Sequence, residues 1–171
     1  MPVLEAPMNE NSKLVEYAAK ILLAKPERCE SAFSRAADSF EDDLLEFSHF
    51  PADYFAFVLE LLSEEKFFSK PGVWNFLLVL GTEKEKLQSS HYEQLAETIL
   101  ANYQSYLNED LCLGVCDFIA RNYPEGYAKG VLHGLREIEK KKDPTLFGFA
   151  DDGLRILERE VDRVSRADGR K

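Results

Sequence analysis

The chain has 171 residues, 45% of them hydrophobic, with 21 basic against 31 acidic side chains and a formal net charge of −10. A chain of this length can build one core without disulfides or metals, and its three cysteines fall in no CxxC or zinc spacing, the usage of a reducing, cytoplasmic compartment. The negative field repels phosphate backbones and anionic lipid and no apolar run is long enough to span a bilayer, so neither nucleic acid nor a membrane is an expected partner.

Residues 1–11 have no basic run and no long apolar core, and read as a loose N-terminal tail, not a signal peptide. Residues 12–168 read as a single α-helical domain and 169–171 as a C-terminal tail. From Ser12 to Lys25, Leu14, Val15, Ala18, Ile21 and Leu22 share one helical face, which stops at Pro26. Glu27 to Ala37 reads as a shorter helix with Cys29, Ala32, Phe33 and Ala36 inward. Asp38 or Ser39 then caps a third helix to about Phe50, striped by Phe40, Leu44 and Phe47. Pro51 opens the next, whose Tyr54, Phe55, Phe57, Val58, Leu61 and Leu62 cover most of its circumference and place it in the core.

Lys70-Pro71-Gly72 leads into a helix from Val73 to Leu80, and Gly81 suits a left-handed residue at its end. Thr82 with Glu85, and Ser90 with Glu93, fit the capping box. Further helices are expected from Ser90 to Leu107, from Leu111 to Asn122 after a cap at Asn108, and from Pro124 to Lys142. Asp143-Pro144 breaks the pattern, and a last helix from Asp151 carries Leu154, Leu157, Val161 and Val164. No strand-type alternation is sustained, and the fold class is all-α.

Gly72-Val73-Trp74-Asn75-Phe76-Leu77 is echoed 42 residues on by Gly114-Val115-Cys116-Asp117-Phe118-Ile119, and His49, His91 and His133 keep the same spacing. Leu157 and Val161 extend the apolar echo faintly. A fixed period of this size is the sign of stacked supersecondary units. On these residues the chain resembles HEAT-like α-helical repeat proteins, with repeats around 49–90 and 91–132. The resemblance implies a solenoid of stacked antiparallel helix pairs that presents a protein-binding surface. An irregular helical bundle is the alternative architecture.

Several residues invite chemistry. Equivalent histidines in stacked helices stand about 8–10 Å apart per layer, too far to share a zinc ion. Glu46-x-x-His49 has the spacing of a di-iron helix motif but occurs once, and no positioned nucleophile lies near it in sequence. A metal- or carboxylate-dependent hydrolase at this pair is therefore the third-ranked reading. Cys112 and Cys116 lie on one helical face, where small apolar packing suits them better than a disulfide. Gly126, Gly130 and Gly134 form a four-residue ladder that fits either close helix packing or a groove. Arg155, Arg159 and Arg163 read as the wet face of the last helix. No catalytic residue, metal or cofactor is expected.

Acidic residues carry the sharpest expectation. Residues 27–65 hold eleven acids against Arg28 and Arg35, whereas 111–171 hold eleven against twelve basic side chains. Glu41, Asp42 and Asp43 would fill a helix first turn, where the dipole favours them, but this leaves the other acids unexplained. An acidic rim of Asp38, Glu41, Asp42, Asp43, Glu46, His49, Asp53, Tyr54, Glu64 and Glu65, with Phe50, Tyr54, Phe67 and Phe68 as aromatic anchors, would grip a basic protein. Size, charge and missing catalytic motifs resemble those of bacterial immunity proteins, which implies neutralisation of a basic toxin or effector domain. The alternative is an adaptor that holds a peptide in a repeat groove near Asn75, Asp117 and the glycine ladder.

Overall fold

Helix-period apolar spacing decides the class. The computed structural model describes residues 11–106, 110–123, 127–140 and 149–168, and among them there is no strand. The helices are α1 (Asn11–Leu23), α2 (Cys29–Leu44), α3 (Ala52–Ser63), α4 (Glu65–Phe68), α5 (Trp74–Thr82), α6 (Ser89–Tyr106), α7 (Leu111–Asn122), α8 (Tyr127–Glu139) and α9 (Phe149–Asp168). Single 3₁₀ turns occupy Pro26–Arg28 and Lys84–Lys86. No helix among the described residues is long and apolar enough to cross a membrane.

The helices fall into two rows. In one, α2, α5, α7 and α9 pack each on the next; in the other, α1, α3, α6 and α8 do so. Contacts of α1 with α2, α6 with α7 and α8 with α9 join the rows. One continuous apolar core runs from Leu14 to Leu157. Its front half centres on Phe40, fully buried, whose ring lies 5.0 Å from that of Tyr54 and 5.4 Å from that of Phe76.

Residues 27–50 depart most from the expectation. α2 runs unbroken through Asp38 and Ser39 and ends at Leu44. Its buried stripe of Cys29, Phe33, Ala36, Ala37, Phe40 and Leu44 is continuous at helical spacing, and packing on that stripe outweighs the tendency of Asp and Ser to start a helix. The expected third helix is therefore the second half of α2 plus a turn over 45–50. Glu41, Asp42 and Asp43 lie in the last turn of α2, not in a first turn, which removes the dipole as their explanation.

The glycine expectations also change. Gly81 lies inside α5, and Gly72 is the described glycine with positive φ, 107°. A Cβ on Gly72 would sit 2.8 Å from Glu30 Cα, so the chain enters α5 pressed against α2. Helix starts repeat at 37 residues, from Ala52 to Ser89 and from Trp74 to Leu111, so the 42-residue echo is out of phase with them. Gly114 accordingly falls inside α7, where a Cβ would meet Trp74 Cβ at 2.7 Å. The ladder is not one interface: Gly134 abuts Leu100, Gly130 faces open space, and Gly126 lies outside the described residues.

The α6 start is capped differently from either expected box. Thr82 Oγ1 donates back to the Leu78 carbonyl at 3.1 Å. The backbone N–H of Gln88 donates to His91 Nδ1 at 2.9 Å, so His91 does the reciprocal part of a capping box, three residues on. The expected cap Asn108 and the break at Asp143-Pro144 lie outside the described residues.

Candidate protein-binding face

Asp43 is the acid that the fold uses internally. Its side chain is 16% exposed and accepts from Lys13 Nζ at 3.0 Å, Tyr17 OH at 2.6 Å and Tyr54 OH at 3.1 Å, which ties α1 and α3 to the end of α2. Burial works to raise this carboxyl, but the hydrogen bonds from Tyr17, Lys13 and Tyr54 prevail and hold it below the ordinary aspartate range. Burial and the Asp43 charge push the Tyr17 phenol far up, so it remains a donor. Lys86, reaching from the turn before α6, donates to the Leu44 carbonyl at 2.7 Å and satisfies part of the exposed end of α2.

Around this tie the other acids point outward. Asp38, Asp42, Glu46 and Asp53 are exposed and Glu41 is half-buried. Asp38 and Asp42 stand one turn apart on α2, and Asp53 opens α3 across the connecting turn. α2 has no basic side chain in its last turn. Acids there meet the negative end of the helix macrodipole, which disfavours them by about 0.3–1 kcal/mol each at low ionic strength. His49 is exposed in the turn beside them. Glu64 and Glu65, also exposed, lie at the far end of α3, about 16 Å along its axis from Asp53. They belong to a different part of the surface.

None of the four expected aromatic anchors is free. Phe50, Tyr54, Phe67 and Phe68 are 5%, 2%, 1% and 6% exposed. The apolar side chain that does project among the acids is Leu45, at 68% exposure, with Phe47 half-buried beside it. Sequence periodicity missed Leu45 because the expected helix continued past it.

The remaining candidates separate. His91 packs its ring 4.4 Å from that of Phe55, and burial lowers its basicity. His133 is exposed on α8. Among the described residues no group of three or more His, Cys, Asp or Glu could hold a metal ion. Cys29, Cys112 and Cys116 are buried and unbridged. On α9, Arg155, Arg159 and Arg163 are exposed, and Arg163 pairs with Glu160.

A concavity lies further along the row that α2 begins. Trp74 and Leu78 of α5, Leu113 and Phe118 of α7, and Ile156 of α9 line a largely apolar groove of about 580 Å³. Arg121 Nε donates to Asp117 at 2.8 Å on its rim. Asn75 does not join it, because its amide donates to the Gly72 carbonyl at 2.7 Å. Asp110 closes one end, its carboxyl pushed up by burial and by the nearby charge of Glu30. Comparison with protein families, with curated proteins and with solved structures finds no match to this chain.

Proposed function

We propose that the protein is a non-catalytic binding module whose α2–α3 end holds a basic partner protein. One observation carries the reading. Glu41 and Asp42 sit in the last turn of α2, where the helix dipole and neighbouring acids disfavour them, while Asp43 beside them is bound internally and Asp53, in the first turn of α3, is favoured by that helix's own dipole. Local stability does not account for Glu41 and Asp42, whereas attraction to a cationic surface does. Leu45 supplies an exposed apolar contact within the charged rim. Among binders of this kind, neutralisation of a basic toxin or effector domain, as by bacterial immunity proteins, is the finer proposal: the acidic end would cover basic residues around the toxin's active site and exclude its substrate.

The test is capture from host lysate by tagged protein at low and high salt, in parallel with an Asp38→Lys/Asp42→Lys/Glu46→Lys variant. A stoichiometric basic partner, held at low salt and lost by the variant, supports the reading; toxicity of that partner when expressed alone supports the finer one. Equal capture by both proteins overturns it.

The groove over α5, α7 and α9 favours a second reading, an adaptor that takes apolar side chains of a peptide. Its volume and apolar walls suit one or two anchoring residues. Partners that survive high salt and depend on Leu78 and Leu113 would identify that role.

A further inference from the structure

Arg28 and Arg35 are the only basic residues between positions 27 and 65, and the fold brings both to one place. With Lys20 and Lys25 they line a groove of about 780 Å³ between α1 and α2. No acidic side chain is among its described lining residues. Lys20 is paired with Glu16 at 2.7 Å. Among the described residues the side chains of Lys25, Arg28 and Arg35 make no hydrogen bond or ion pair with another side chain.

Shape and chemistry limit what fits there. Ala24, Ala32 and Ala36 form a small-residue floor, which admits close approach of another backbone. Arg28, which ends the 3₁₀ turn just before α2, and Arg35 within α2 stand seven residues apart, about 10 Å along the helix direction. Cations spread over two turns match acids repeated along a helix better than a single compact phosphate. Leu23, 84% exposed, lines the groove, and Val15 and Leu22 add exposed apolar surface elsewhere on α1 at 67% and 37%. α1 and α2 also stand at the end of their rows, with no described helix packed beyond them.

We propose that the α1–α2 groove docks an acidic amphipathic helix of a partner protein, with its apolar side on Leu23 and the alanine floor and its carboxylates on Lys25, Arg28 and Arg35. This site is independent of the basic-partner face and takes a ligand of opposite charge. A protein of net charge −10 repels acidic peptides at long range, so binding of one requires a local cationic site.

The probe is a synthetic 18-residue helix with glutamates on one side and leucines on the other, followed by fluorescence anisotropy on the full chain. Saturable one-to-one binding is expected, and Arg28→Glu/Arg35→Glu is expected to weaken it by about tenfold, two exposed ion pairs' worth. The control Lys84→Glu/Lys129→Glu makes the same change in net charge at exposed positions outside the groove and is expected to bind as the parent does. Far-UV circular dichroism checks that both variants are folded. Equal weakening by the control overturns the proposal. So does displacement of the peptide by equimolar tripolyphosphate, which would make the groove a phosphate site. Salt-sensitive dimerisation abolished by the arginine variant would assign the face to a second copy and overturn it as well.

Discussion

Replacing Asp42 with asparagine is expected to stabilise the fold. Asp42 is exposed in the last turn of α2, a helix with no cation of its own there, and Asp38 stands one turn before it. Removing the charge relieves a dipole penalty of about 0.3–1 kcal/mol. It also relieves a like-charge pair of about 0.2–0.5 kcal/mol with Asp38. Asparagine and aspartate have similar helix propensity, so little offsets the gain. Discounted for solvent exposure, the net is about 0.5–1 kcal/mol at low salt, or a rise in Tm of about 1–4 °C for a chain of this size. Thermal and urea unfolding at low ionic strength would measure it, and repetition in 1 M salt, where the Debye length is about 3 Å, should remove most of it. Unchanged or lower stability at low salt would refute the view that these acids are held against local preference.

Asp43→Asn, one residue on, should act in the opposite direction. It takes the charge from three donors and is expected to cost about 1–2 kcal/mol at pH 7. Because the folded carboxyl titrates below its unfolded value, its stabilisation is complete above an unfolded pKa of about 3.9 and is lost as pH falls through the lower folded value. The gap between parent and variant in urea unfolding should therefore narrow only below that pH. His91 is shifted downward by burial and accepts a hydrogen bond through Nδ1. Its neutral form is thus favoured in the fold, that stability is complete above an unfolded pKa of about 6.5 and declines as pH falls toward the folded value, and NMR titration should find the ring below 6.5. Two glycine substitutions should differ in sign. Gly130→Ala, facing open space on α8, is expected to stabilise by about 0.5–1 kcal/mol, whereas Gly114→Ala must push α7 away from Trp74 and destabilise.

The all-α class was legible because apolar spacing on α3, α6 and α7 is long and regular, and the bounds of α7 match the expected ones. The chain around 38–50 was not, because Asp38 and Ser39 look like caps until Phe33, Phe40 and Leu44 are seen to share one buried neighbour set. Local chemistry and tertiary packing disagree there, and packing prevails. That difference rearranged the near end of the candidate site, where Asp43 and Tyr54 became internal partners and Leu45 emerged; Glu64 and Glu65 are set apart by the length of α3 instead. The groove cations Arg28 and Arg35 were visible only as exceptions in an acidic stretch. Their approach to Lys20 and Lys25 depends on how α1 folds back, which periodicity does not encode.

α2 brings these features into one argument. A helix gains from acids at its start and cations at its end. α2 is preceded by Arg28, with Glu30 as the acid in its first turn, and it ends in Glu41, Asp42 and Asp43. Most of its terminal charge thus runs against its own dipole. Such an arrangement persists only where something else holds the helix, and here Phe33, Phe40 and Leu44, each fully buried, fix it between α1 and α5. The Tyr17 and Tyr54 hydroxyls on Asp43, and Lys86 on the Leu44 carbonyl, then secure the end that the dipole weakens. With stability supplied from the core, the helix can carry at both ends charge that its own dipole disfavours. Their opposite signs are what separates the two proposed faces, an acidic one where α2 meets α3 and a cationic one where it meets α1.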